Sequence, residues 1–236
     1  MLMALGWGLL AASSLVVGSV LALVRTWSTR LIGAVLAFGA GALIASVSFE
    51  LAEEGFNTGG ALPVAIGLAL GAVIFFVADR IVERHGARSD NGAAGMPLAL
   101  GALLDGIPEQ LVLGIGLAAA THEVSIGLLV AIYLSNLPEA IGSSADMRRA
   151  GSPGRHVFLL WVAVALACAL ATLVGHQLAD VLGPSSTALI NGFAAGALLV
   201  MLIDSMIPEA REQANDIAGL AAVAGFALAA GLSLLT

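Results

Sequence analysis

The sequence has no lysine, one cysteine and one tyrosine, and only 11% of its residues are charged, against about a quarter in an ordinary soluble domain. Each shortage removes a class of function. Cys168 stands alone, so no intrachain disulfide can form and the redox compartment is not readable. The nine cations are all arginine and make no basic patch, so nucleic acid is not an expected partner. No HExxH pair marks a metalloprotease, and no nucleophile stands beside a base. The four histidines, His85, His122, His156 and His176, lie near the ends of apolar runs and form no ligand pair. An enzyme is therefore not the expectation. The formal charge of −7 does not describe an acidic surface either, because many of the acids lie inside or at the ends of apolar runs.

What is abundant is apolar sequence. Of 236 residues, 59% are hydrophobic, and they recur in runs of about 20, the length that crosses roughly 30 Å of hydrocarbon. Eight spans are read at 3–24, 31–53, 61–82, 96–120, 124–146, 156–180, 186–208 and 216–235. The first run lacks a basic stretch before it, its first cation is Arg25 after it, and a second run follows directly; it reads as a retained helix and not as a cleaved signal peptide. The runs lack the dyad alternation of barrel strands. The 29 glycines suit close helix approach in lipid. The expected fold is all-α: a polytopic membrane protein of eight transmembrane helices, one domain over 1–236.

The arginines set an orientation. Arg25, Arg30, Arg80, Arg84, Arg88, Arg148, Arg149, Arg155 and Arg211 all fall at or in the loops after spans one, three, five and seven. The loops after spans two, four and six hold acids such as Glu53, Glu54, Glu123 and Asp180. Positive loops stay cytoplasmic, so both termini are expected outside, in a plasma membrane. An internal repeat accompanies this pattern. Residues 38–54 (FGAGALIASVSFELAEE) and 193–209 (FAAGALLVMLIDSMIPE) share a Phe, an AGAL block and a final Glu at an offset of 155 (193 − 38). Spans two and seven would run in opposite directions, as in the inverted repeats of secondary transporters. The expected arrangement relates spans one to three and six to eight around spans four and five; chance similarity between Gly/Ala-rich helices is the competing reading.

The chemistry concentrates in two segments. Span four carries LLDGIPEQLVLG, with Asp105, Pro108 and Glu109; span five carries YLSNLPEAIGSS, with Ser135, Asn136, Pro138 and Glu139. A central acid costs about 2.5–3.5 kcal/mol on insertion scales. Asp105 and Glu109 are four apart and share a helical face, so they repel unless a cation or protons neutralise them. Each proline loosens the carbonyl four residues back, that of Leu104 or Leu134. Asp105, Glu109, Asn136 and Glu139, with Ser135 adjacent, could form an oxygen-rich cage, and hard oxygen ligands suit Mg, Ca or Mn. Glu53, Glu54, Asp146, Asp180 and Glu209 read equally well as helix-end acids in headgroup water. Glu50 and Asp204 are candidates to line a pathway. Cys168 reads as a small core residue.

With eight spans, paired Pro-Glu motifs in spans four and five and another Pro-Glu in span seven, the chain resembles the ZIP metal-ion transporters. In that family the two motifs read His-Asn-x-Pro-Glu and His-Asn/Asp-x-Pro-Glu and build a mid-membrane metal site, often binuclear. Glu109, Asn136 and Glu139 match by position; Asp105 and Ser135 stand where the histidines are usual, Gly106 where Asn is usual and Gln110 where Gly is common. The resemblance implies uptake of a divalent metal ion as substrate, zinc, manganese or iron, bound by Asp105, Glu109, Asn136 and Glu139 with Ser135 as a weaker or water-mediated contact. The partners implied are the ion and the bilayer, with a homodimer left open. The alternatives are a proton-coupled carrier of another solute and a metal-binding relative that does not transport.

Overall fold

In a computed structural model, residues 1–86, 95–118, 126–181 and 183–233 are described, and they are helical with no strand among them. The helices are α1 (Leu2–Val24), α2 (Thr29–Ser46), α3 (Glu53–Gly59), α4 (Ala61–Gly86), α5 (Gly95–Ala118), α6 (Ile126–Arg149), α7 (Gly154–Val181), α8 (Pro184–Met201), α9 (Ile207–Ala214) and α10 (Ala218–Ser233). A π-helical turn at Val47–Ala52 joins α2 to α3, and another at Leu202–Met206 joins α8 to α9. The turns begin 155 residues apart (202 − 47), the same offset as the sequence repeat. Local chemistry sets the boundaries. Ser28 caps α2 by accepting a hydrogen bond from the Leu31 amide, and Pro184 opens α8. Gly60 and Gly151 adopt the positive φ that lets one helix end and the next begin at once.

Among the described residues, seven helical stretches are long and apolar enough to cross a membrane, and the chain is a multi-pass membrane protein. Six match expected spans one to one; the expected seventh and eighth, 186–208 and 216–235, both fall within one 50-residue stretch, Pro184–Ser233. That stretch is not straight. Gly33 near the start of α2 abuts Gln213 and Ala214 at the end of α9, while Leu36 shares a cavity with Met206 and Glu209, so α9 runs against α2. Gly41 abuts Ala222, Gly225 abuts Phe38 and Glu50 bonds Ser233, so α10 runs with α2. The chain turns back between them, at Asn215 with its φ of 52° and the 3₁₀ turn Asn215–Ile217.

Two packing groups result. One comprises α1, α5, α6 and α7; the other α2–α3, α4, α8–α9 and α10; α2 lies against α6 where they meet. Glycines let backbones touch in both. A Cβ on Gly41 would overlap the Ala222 carbonyl, and one on Gly196 the Leu68 carbonyl; likewise Gly225 meets the Phe38 carbonyl and Gly71 that of Phe193. In lipid, packing of this kind replaces the hydrophobic drive. Outward-facing apolar residues such as Leu220 on α10, Val73 on α4 and Leu170 on α7 suit contact with acyl chains.

Candidate functional site

Pro108 and Pro138 lie inside α5 and α6, and each places a glutamate near the middle of its helix. Glu109 and Asn136 are almost fully buried. A buried carboxylate is tolerated when donors or cations satisfy it, and here the donors come from α6. The Asn136 amide nitrogen donates to Glu109 Oε2 at 2.7 Å and also to the Ile132 carbonyl at 2.9 Å, which uses both of its N–H groups. Ser135 Oγ lies 3.1 Å from Glu109 Oε1 and 3.0 Å from the Ile132 carbonyl, and its single proton serves one of them at a time. The two motifs thus interlock: α6 supplies the donors that hold the α5 carboxylate.

Asp105, Glu109, Ser135 and Glu139 line one cavity of about 40 Å³, completed by Leu36 of α2 and by Met201, Ser205, Met206 and Glu209 around the second π-turn. A water needs at least about 10–15 Å³, so the space admits a bare ion with one or two waters. Four of the five expected site residues are therefore brought together. The fifth, Asn136, sits behind Glu109 as its donor and does not line the cavity. Leu104 and Leu134, whose carbonyls the prolines loosen, do not line it either; the Leu134 carbonyl faces Gly39 of α2, 2.7 Å from where a Cβ there would lie. Among the described residues no three His, Cys, Asp or Glu side chains converge closely enough to hold one metal ion. The carboxylates line the space and do not close a cage around it.

From the sequence Glu209 reads equally well as a helix-end acid. The structure puts it on the cavity wall, and it also lines a second cavity of about 340 Å³ with Arg25, Asp146, Arg148, Arg149 and Gln213. Glu209 accepts a hydrogen bond from Gln213 Nε2 at 2.7 Å. The signal for it was available: Pro208–Glu209 is the same dipeptide as Pro108–Glu109 and Pro138–Glu139. Ser205, Met201 and Met206 gave no signal. Asp204 is exposed and outside the cavity, and Glu50 bonds Ser233 at 2.7 Å away from it, so neither lines the space as expected. Cys168 is buried, with its sulfur against Gly106, as a core residue should be. Arg88, His122 and Glu123, and the side chains of His85 and Asp180, lie outside the described residues.

No family profile matches the chain. It is 28% identical over 183 residues to a protein of Arabidopsis thaliana provisionally named a zinc transporter. The match covers 75% of this chain and 29% of the relative, so the chain spans under a third of that protein's length.

Proposed function

We propose that the protein carries divalent metal cations across a membrane, ZIP-fashion, through a mid-membrane site of Asp105, Glu109 and Glu139, with Glu209 at one mouth, Ser135 as a weak ligand and Asn136 as the donor that positions Glu109. The observation that carries this reading is one cavity bounded by acids from two proline-containing helices and a third Pro-Glu segment. Like charges in low dielectric repel, and a divalent cation relieves that repulsion. The relative's name supports the same cargo class.

Eight crossings with both termini outside fit this reading. The end of α1, the start of α2, the end of α6 and the end of α9 share the arginine-rimmed cavity, which on the positive-inside rule is cytoplasmic. The end of α3 meets the start of α8, and Glu50 meets both Ser233 and Gly127, so those ends gather elsewhere. The repeated π-turns, and the equivalent glycine contacts of α2 with α10 and of α8 with α4, support an inverted repeat. The cavity adjoins the arginine-rimmed one through Glu209, which corresponds to a site turned toward the cytoplasm. Transport would alternate this access by moving one packing group against the other.

The test is uptake by purified protein in liposomes, with Mn, Fe, Zn, Co and Cd in competition. Glu109→Gln and Glu139→Gln should each abolish metal accumulation while leaving membrane insertion intact. Undiminished uptake in both variants would remove the site. Uptake driven by a pH gradient without metal would favour a proton-coupled carrier, and metal binding without flux would favour a non-transporting relative.

A further inference from the structure

The cavity shares Glu209 with the arginine-rimmed cavity, and the repeat says which residues would form its counterpart on the other side. Shifting the cavity wall by the 155-residue offset turns Met201, Ser205, Met206 and Glu209 into Ser46, Glu50, Leu51 and Glu54, and turns Leu36 into Asn191. The α5 and α6 motifs exchange with each other, Asp105 with Ser135 and Glu109 with Glu139, so the central wall maps onto itself. A site on such an axis can be reached from either side by equivalent routes.

Three members of the counterpart set are packed shut, while Glu50 and Glu54 are half-buried. Ser46 and Asn191 are each 1% exposed and Leu51 is 2% exposed. Ser46 Oγ and Asn191 Nδ2 are nonetheless buried without a hydrogen-bond partner. Buried polar groups are almost always paired, and the exceptions call for a reason. Alanine would pack in place of either side chain, as it does at the neighbouring Ala45 and at Ala188 one turn before Asn191. Their polar groups acquire a use when the packing opens. We propose that Ser46 and Asn191, with Glu50 and Glu54, line the outer half of the cation's path, closed in this conformation and open in the alternate one. This rests on the carrier reading above.

The experiment is thiol accessibility. Cys168 is the chain's one cysteine, so Cys168→Ser gives a blank background. Ser46→Cys is nearly isosteric; Asn191→Cys tests the same surface from another helix; Ala45→Cys is the buried control and Ser205→Cys the inner one. A membrane-impermeant maleimide is applied to intact cells and to inverted vesicles. Positions 46 and 191 should react from outside, position 205 from inside, and position 45 from neither. Saturating Zn²⁺ or Mn²⁺ should slow the reactions at 46 and 191 several-fold. If neither 46 nor 191 reacts from outside in folded, membrane-inserted protein, the proposal fails. Parallel uptake of the same ions keeps the two failures apart: a parent protein that moves neither ion overturns the carrier reading, whereas a parent that moves them with 46 and 191 silent overturns this pathway alone.

Discussion

Both packing groups bring backbones together at glycine, and they differ in how many polar side chains they bury. Among the described residues, the buried polar ones in α1, α5, α6 and α7 are Ser14, Ser19, Glu109, Gln110, Ser135, Asn136, Ser144 and Thr172, and those in α2–α3, α4, α8–α9 and α10 are Ser46 and Asn191. The second group is held chiefly by backbone contact, with Gly41, Gly67, Gly71, Gly192, Gly196 and Gly225 each set against a carbonyl of the facing helix. Lipid gives helices no hydrophobic reason to associate, which leaves small-residue packing and interhelical hydrogen bonds. A group that carries acids must carry their donors too. A group whose acids lie outside its fully buried core can lean more heavily on glycine and alanine and pack tightly. The cavity sits where the groups meet, so its carboxylates come mainly from the polar one and its opposing wall from the glycine-rich one.

The harshest way to break this comparison is to put side chains where backbones touch. Overpacking costs about 1–3 kcal/mol and occasionally more; at Gly41 and Gly196 the obstacle is a partner's backbone, which has no rotamer to yield. Gly41→Leu and Gly196→Leu should therefore abolish monodisperse, folded protein on gel filtration in detergent. Gly6→Ala and Gly231→Ala, where a Cβ meets open space, should leave the elution profile and melting temperature unchanged. Equal tolerance at all four positions would mean that glycine contact does not hold the second group.

A subtler intervention separates holding an acid from being one. Asn136→Leu keeps the bulk of the side chain but removes both N–H donors, leaving Glu109 with Ser135 alone. Losing a partner to a buried group costs about 1–3 kcal/mol, and each 1.4 kcal/mol is about tenfold in an affinity. The protein should still fold, and the metal concentration giving half-maximal uptake should rise by about tenfold. Flux should persist, in contrast to the loss expected for Glu109→Gln. Complete loss of flux in both variants would instead make Asn136 a ligand in its own right.

Much of the architecture was legible because lipid makes hydropathy a strong signal. The run at 3–24 became Leu2–Val24, and that at 156–180 became Gly154–Val181. Asp105, Glu109 and Glu139 were legible because an acid inside an apolar run carries a cost that invites explanation, and Ser135 because it opens the motif that holds Glu139. Glu209 shows the converse: it stands near the end of its run, where water would satisfy it, and nothing in the run says that it lines the cavity next to the π-turn Leu202–Met206. The π-turns have no local signature in VSFELA or LIDSM that distinguishes them from α-helix. The bond from Asn136 to Glu109 was not legible, because a sequence offers both ends of an amide, and the carboxylate facing it selects the nitrogen.

The smallest effect concerns the residue next to Glu109. Successive positions on a helix point about 100° apart, so Gln110 turns from the cavity toward α7, where Thr172 Oγ1 donates to its Oε1 at 2.5 Å. Thr172 also packs against Gly8 of α1, so it ties three helices together. Thr172→Val keeps that shape and deletes one bond; such bonds between membrane helices average about 0.6 kcal/mol. The melting temperature should fall slightly, with half-maximal uptake unmoved. Adding Gln110→Met replaces the other partner with an apolar side chain of similar length, and removing both partners together is close to neutral, so the double variant should melt nearer the parent than Thr172→Val does. A shift in metal affinity from Thr172→Val would show instead that the polar side of the molecule is one continuous network, in which the bond behind Glu109 and the bonds in front of it cannot be altered separately.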